Sequence, residues 1–306
     1  MHLKKKIKKI YPVALFVYNR PKHTEQVILN LKKNYLAPDT TLYIFSDGPK
    51  NASDKKNILK VRKIVSNIKG FKKIKIFKKG KNIGLKKSIK FGVNKVIKKY
   101  GAIIVLEDDI VTSPTFLYFM NYALNYYRNH SNVWHISGWN LPLAYKNFSK
   151  TFFYRAMNCW GWATWENKWK YFNDNIKEIE VKMTSNQIFN FNIDGNENFY
   201  WQFIANKKEL TSTWAIFWYL TIFLNKGFCV NPYVSLTKNI GLDGSGEHSK
   251  SEIFKKRIIL NSSKNFKLNH KVIENKKIYL EIIKYYKKKN SLINKLLNKV
   301  LTFFNR

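Results

Sequence analysis

Three continuous apolar runs and one alternating run mark the first third of the chain. Pro12 to Tyr18 (PVALFVY), Thr41 to Phe45 (TLYIF) and Ile103 to Leu106 (IIVL) are continuous; Lys73 to Phe77 (KIKIF) alternates and is the weaker. Continuous runs of this length predict strands buried on both faces, as in a parallel sheet. Between them lie segments with apolar residues at helical spacing. Val27, Ile28 and Leu31 follow Thr24, a candidate N-cap, and Ile58, Val61, Ile64 and Val65 share one face of a helix from Asp54 to Ile68. Lys81 to Leu85 opens a third helix, running to Lys99. Alternation of strand and helix predicts an α/β fold with a mostly parallel, doubly wound sheet. Right-handed crossovers bring the loops after each strand to one edge. Asn19-Arg20, Asp47, Asn82 to Gly84, and Glu107 to Asp109 are therefore expected in one cleft.

The pattern changes after residue 112. A helix rich in Phe and Tyr is expected from Thr115 to Asn129, and Val133 to Asn140 reads as a strand and turn. Phe152 to Arg155 precedes Cys159 to Trp165 (CWGWATW), whose tryptophans suit either a core or a binding platform. Tyr171 to Leu210 is polar, Asn-rich and weakly periodic, as in a variable insert. Thr213 to Asn225 is expected as a buried helix ended by Gly227, followed by a strand from Phe228 to Tyr233. From Ser249 lysine dominates, and Lys271 to Lys289 and Ser291 to Asn305 read as two helices. The division is a domain of residues 1–250, with halves of about 11–112 and 113–250, and a basic amphipathic helical tail, 251–306. Such a tail suits an anionic membrane surface, or packs on the domain or on a second subunit.

Composition narrows the partners. With 306 residues, 45% of them hydrophobic, the chain can bury one large core or two modest ones. A net charge of +37, carried mostly by Lys, favours anionic lipid, nucleotides, polyanionic glycans or nucleic acid. No nucleic-acid recognition motif is present, Arg is scarce, and the acid cluster would repel a phosphate backbone, so nucleic acid is not expected. Two cysteines, Cys159 and Cys229, give neither a disulfide framework nor metal-ligand spacing, which fits a reducing compartment. The apolar run ending in Asn19-Arg20-Pro21 lacks a small-residue cleavage site and reads as a strand rather than a signal peptide. Trp214 to Leu224 is about half the length of a bilayer span.

The candidate chemistry lies at the strand ends. Glu107, Asp108 and Asp109 together repel one another, and a hard divalent cation with oxygen ligands relieves that; a solvated acidic turn is the plain alternative. Arg20 suits a phosphate, Asp47 suits a base or ribose, and Gly84 allows close approach at a helix N-terminus, where phosphate is favoured. Late in the chain, Asn239 to His248 (NIGLDGSGEH) is a glycine loop able to close over phosphates through Asp243, Gly244 and Ser245, with His248 a possible nitrogen ligand. The plain alternative is a glycine turn with an exposed histidine.

VYNRP, SDG, NIGL and LEDDI, taken in order, resemble nucleotide-sugar glycosyltransferases of the GT-A (Rossmann-like) fold. The likeness runs from about Tyr11 to His248 and points to the branch of N-acetylglucosaminyltransferase I and bacterial enzymes that build surface glycans. It implies Mn²⁺ (or Mg²⁺) bound by Asp109, with His248 as a further ligand and the acids in the part of the Asp-x-Asp motif. It places Asn19, Arg20, Asp47, Asn82, Gly84, Glu107 and Asp108 around the nucleotide and Trp160 and Trp162 beside the acceptor. It also implies inverting transfer from a UDP-sugar to a surface-glycan or lipid-linked acceptor by a cytoplasmic protein peripheral on the inner membrane face. Inverting relatives carry an acid just before the tryptophan that opens the helix after it; here Thr211-Ser212-Thr213 precedes Trp214. A hydroxyl is no general base at neutral pH, so Glu209, or else Glu197 or Asp194, is the expected substitute. The alternative is a catalytically inactive protein of the same fold that binds nucleotide sugar or glycan. A nucleotidyltransferase would need a glycine-rich loop after the first strand, and NRPKHT is not one.

Overall fold

The computed structural model describes residues 7–144, 147, 150–243 and 260–291. The nucleotide-side half runs β1 (Val13–Val17), α1 (Pro21–Lys32), β2 (Thr41–Ser46), α2 (Asp54–Ser66), β3 (Lys73–Lys78), α3 (Leu85–Tyr100), β4 (Ala102–Glu107) and β5 (Ile110–Thr112). Then come α4 (Phe116–Tyr126), β6 (Val133–Ser137), β7 (Thr151–Tyr154), β8 (Trp162–Trp165), α5 (Glu166–Trp169), α6 (Ile176–Lys182), α7 (Ser185–Phe191) and α8 (Tyr200–Lys207). The remainder is α9 (Ala215–Leu224), β9 (Phe228–Pro232), β10 (Thr237–Asn239) and α10 (Lys276–Asn290).

Eight strands form one sheet in the order β3-β2-β1-β4-β8-β6-β9-β7. β3, β2, β1 and β4 are parallel; β8 is antiparallel to both β4 and β6, β9 is parallel to β6, and β7 runs against β9. Only β8 and β7 oppose the rest, so the sheet is mixed but mostly parallel. Every residue of β1 is buried, which explains its unbroken apolar run. Val13, Leu15 and Val17 pack with α1, α2 and α4 on one face, and Ala14 and Phe16 pack with α3 and α9 on the other. β3 is the edge, and Lys73 and Lys78 at its ends are exposed, which discourages edge pairing.

Local chemistry moved several boundaries. Helix α1 starts at Pro21, whose fixed φ suits the first helical position, so Thr24 lies inside it rather than capping it. The Thr24 hydroxyl instead donates to the Arg20 carbonyl at 2.9 Å. The stretch expected as an irregular insert holds α6, α7 and α8. Asn175 caps α6, and Thr184 with Gln187 forms a full capping box at α7.

A second apolar cluster lies in the later half, where Phe191, Phe203, Phe217, Tyr219 and Leu220 meet Ile278, Ile282 and Tyr286 of α10. Arg155 makes a two-pronged ion pair with Glu274 just before α10, with contacts of 3.1 and 2.6 Å. Residues Ile278, Ile282 and Tyr286 of α10 thus share a core with the later half of the domain. The helix expected from Ser291 lies outside the described residues. Among the described residues no helix is long and apolar enough to cross a membrane.

Candidate functional site

β1 and β4 are parallel neighbours with Phe16 opposite Glu107, so the residues that follow each strand leave on the same edge. The Tyr18 N–H donates to Asp108 Oδ2 at 3.1 Å. Arg20 reaches both aspartates through one nitrogen, 2.5 Å from Asp108 Oδ1 and 3.0 Å from Asp109 Oδ2. The Asp108 side chain is only 6% exposed. Three carboxylates therefore face one guanidinium. The imbalance registers at Glu107: burial, then crowding by Asp109 and Asp108, pushes it up to about 8, although the Trp214 side chain hydrogen-bonds it. Burial also pushes Asp108 up, with Arg20 working against it.

The loops after β2 and β3 complete the edge. Asp47 is buried, and its carboxylate accepts from the backbone N–H groups of Gly48, Ile83 and Gly84 at 2.8, 3.0 and 2.9 Å. Its task in the structure is to hold the loop that starts α3. Gly84 sits at the N-cap with φ 79°, a conformation that favours glycine. Asn82 donates to the Gly48 carbonyl, and Asn19 donates to Asp54, which also accepts from the Tyr18 hydroxyl. Beside this N-terminus lies a cavity of about 450 Å³ lined by Gly84, Lys86, Lys90, Asp174 and Ser212. Ser212, one of the three hydroxyl residues before Trp214, thus shares a cavity with the α3 N-terminus, while Trp214 two residues on meets Glu107.

A small antiparallel ribbon covers the acids. β5 follows them directly and pairs with β10, Asn239 opposite Ile110. The Ile240 N–H donates to the Asp109 carbonyl at 2.9 Å. At Gly241 a Cβ would stand 2.5 Å from Asp109 Oδ2 and 2.7 Å from Arg20 Nη1, so a larger residue would have to push these side chains aside or move the loop. Asp243 then meets His23 of α1 at 3.1 Å. Gly244, Ser245 and His248 lie outside the described residues.

No protein-family model matches the chain, and no curated protein matches it. Among solved structures, GalNAc-T7 with UDP, GalNAc and Mn²⁺ superposes with a TM-score of 0.44 at 10% identity, over 74% of this chain and 43% of that one. S. aureus TarS 1–349 superposes at 0.43 and 11% identity, over 74% and 59% respectively. The chain thus spans about half the length of either.

The acids fit a hard cation. Arg20 takes one oxygen of Asp109, whose side chain is 14% exposed, and among the described residues no protein group takes the other. Glu107 adds a second carboxyl group, whose ionised form burial and the neighbouring Asp109 and Asp108 make costly, a cost that a cation would relieve. Among the described residues no three His, Cys, Asp or Glu side chains form a closed ion site. An open pair of carboxylates is the kind of site that holds Mg²⁺ or Mn²⁺ jointly with phosphate oxygens.

The acceptor-side expectations divide. Trp162 is fully buried, stacked on Trp214 at 5.1 Å in strand β8, and cannot serve as an acceptor platform. Its aromatic surface is spent on core packing. Trp160 lines a separate cavity and packs edge-on against Trp139. Of the carboxylates considered as base, Asp194 is paired with Arg155 at 3.0 Å and Glu197 with Lys289 at 2.5 Å. Glu209 is exposed beyond α8, with φ 57°. Gly241, Trp214 and His23 were not expected at the site. The glycine loop was legible, but which of its glycines touches the acids depends on the β5–β10 register. His135 is a core histidine: it is fully buried and bonded to Trp218 and to the Asn158 carbonyl.

Proposed function

We propose that the chain is a metal-dependent, GT-A-type glycosyltransferase that takes a nucleotide-sugar donor at the carboxyl ends of β1, β2 and β4. The observation that carries this reading is the joining of Arg20 to Asp108 and Asp109 across two parallel strands, roofed by Gly241. By the motif resemblance the donor is a UDP-sugar and the acceptor a bacterial surface glycan or lipid-linked glycan. Asn19, Asp47, Asn82 and Gly84 shape the nucleotide side, with Asp47 acting through the loop it holds. Asp109 and Glu107 would hold Mn²⁺ or Mg²⁺, with His248 a further ligand. When bound, the cation would neutralise the leaving diphosphate. Arg20 orients Asp109 and supplies fixed positive charge beside the phosphates. By the same resemblance, the loop carrying Asp243, Gly244 and Ser245 would close over the donor phosphates. Trp160 contacts the acceptor.

An acceptor hydroxyl attacking the anomeric carbon requires a base. Glu209 remains the residue to substitute first, although Glu197 is the one that lines a cavity with Trp160. The basic residues beyond 291 would meet an anionic membrane from the cytoplasmic side. The hydroxyl residues Thr211, Ser212 and Thr213 before Trp214, where by the motif resemblance an acid is expected, favour a second reading: a protein that binds nucleotide sugar without turning it over.

The test is donor hydrolysis across UDP-, GDP- and CMP-sugars, with Mn²⁺ or with chelator. Slow Mn²⁺-dependent release of one nucleotide, lost in Asp109→Asn, is expected. Tight binding with no release, with or without added glycan acceptors, would replace the enzyme by the binder.

A further inference from the structure

A second cavity, of about 280 Å³, lies among residues of the later half of the chain. The segment that forms part of its wall, Ala156 to Trp160, also carries Cys159, whose thiol is pushed up by burial and then by Glu107 and Asp109. The size falls near the lower end of small-molecule sites, roughly 300–1,000 Å³, enough for a sugar ring and its hydroxyls but tight for a nucleotide sugar.

The lining has two chemistries. Trp139 and Trp160 meet edge to face, ring centres 4.7 Å apart, and give an apolar wall. Around them stand the side chains of Asn158, Gln202 and Asn231, and the Glu197–Lys289 ion pair. Two further lining residues, Tyr154 and Tyr285, carry buried hydroxyls with no hydrogen-bond partner among the described residues. Tyr154 is only 7% exposed. Buried tyrosine hydroxyls normally find a partner; these two are closed off from the empty cavity, and a small turn of either ring would let a bound hydroxyl supply one. An aliphatic ligand would leave the amides and hydroxyls unpaired, and a phosphate would meet the carboxylate of Glu197. A pyranose answers both chemistries, with C–H groups on a ring face and hydroxyls around its rim.

We infer that this cavity is a saccharide site, occupied by a sugar of the acceptor, and that α10 is its outer wall. Tyr285, Tyr286 and Lys289 come from α10 and lie beyond the Tyr11 to His248 stretch that carries the family likeness. Acceptor choice is therefore written partly in the C-terminal helix. The word acceptor rests on the glycosyltransferase reading; the sugar binding does not.

The experiment is saturation-transfer NMR on the full chain with a panel of methyl pyranosides (gluco, galacto, manno, N-acetylglucosaminide, N-acetylgalactosaminide), alongside UDP titration with Mn²⁺ on the same samples. At least one glycoside should bind. Gln202→Ala, an exposed change, and Tyr285→Phe should each weaken it about 5- to 10-fold, the value of a hydrogen bond or two. Tyr285→Phe should melt no lower than wild type, because it removes a hydroxyl that has no partner in the free protein. No glycoside binding, or binding unchanged in both variants, overturns the inference, and retained UDP binding then leaves the donor reading intact. Glycoside binding lost in the variants, with no UDP binding in any sample, would keep the saccharide site and sink the enzyme.

Discussion

Arg20→Met isolates the charge balance of the site. Arg20 is 20% exposed and Asp108 is 6% exposed, so their 2.5 Å contact is shielded from solvent, as is the 3.0 Å contact with Asp109. At an effective dielectric of about 20, a pair of charges 4 Å apart interacts by about 4 kcal/mol before desolvation. Removing one partner strands the other, and for buried pairs the net loss is about 3–5 kcal/mol. Here two aspartates are stranded beside a Glu107 already pushed up to about 8 by burial and by their charge. At roughly 1.5 °C per kcal/mol for a chain of this size, Tm should fall by about 4–8 °C. Scanning calorimetry measures it. Mn²⁺ should then raise Tm more in the variant than in wild type, because the cation replaces the missing positive charge. A fall under 2 °C, or identical Mn²⁺ shifts, would mean that Arg20 does not hold the acids and that the charge argument is wrong.

Two further outcomes follow from single contacts. Gly241→Ala places a Cβ 2.5 Å from Asp109 Oδ2 and 3.0 Å from its Cβ, so either the loop or Asp109 must shift; UDP binding with Mn²⁺ should weaken at least tenfold by calorimetry, at about 1–3 kcal/mol of stability, and unchanged affinity would count against the roof. Burial pulls His135 down to about 3 from its ordinary 6.5, while Trp218 donates to its Nδ1 and its Nε2 donates to the Asn158 carbonyl. The unfolded chain thus takes up this proton first as pH falls, so stability is complete above pH 6.5 and declines toward pH 3 at up to about 1.4 kcal/mol per pH unit. Urea titrations at pH 7 and pH 5 should show the decline, and His135→Gln should remove that share of it; an equal decline in the variant would refute the assignment.

The sequence was most informative where one physical rule governed a whole element. β1, β2 and β4 are buried on both faces, and unbroken apolar runs announce that. Right-handed crossovers then bring the loops to one edge, and the meeting of Tyr18 and Arg20 with Asp108 follows from it. Where two rules compete, the pattern alone did not decide. Trp162 looked like part of a sugar platform because tryptophan beside glycine suits either a surface or a core, and only pairing of β8 with β4 and β6 buries it. The helices of residues 176–207 are seven or eight residues long, too short for clear periodicity, and their signals were the caps Asn175 and Thr184. Gly241 touching Asp109, and α10 packing under Phe191, are long-range contacts that no local pattern encodes.

The most direct test of the account is calorimetric titration of UDP into the full chain with Mn²⁺, with chelator, and in Asp109→Asn. The account predicts binding with Mn²⁺, none with chelator, and at least tenfold weaker binding in the variant. No binding with Mn²⁺, or equal binding with chelator, would contradict the claim that the Glu107 to Asp109 acids hold a cation and a nucleotide diphosphate together.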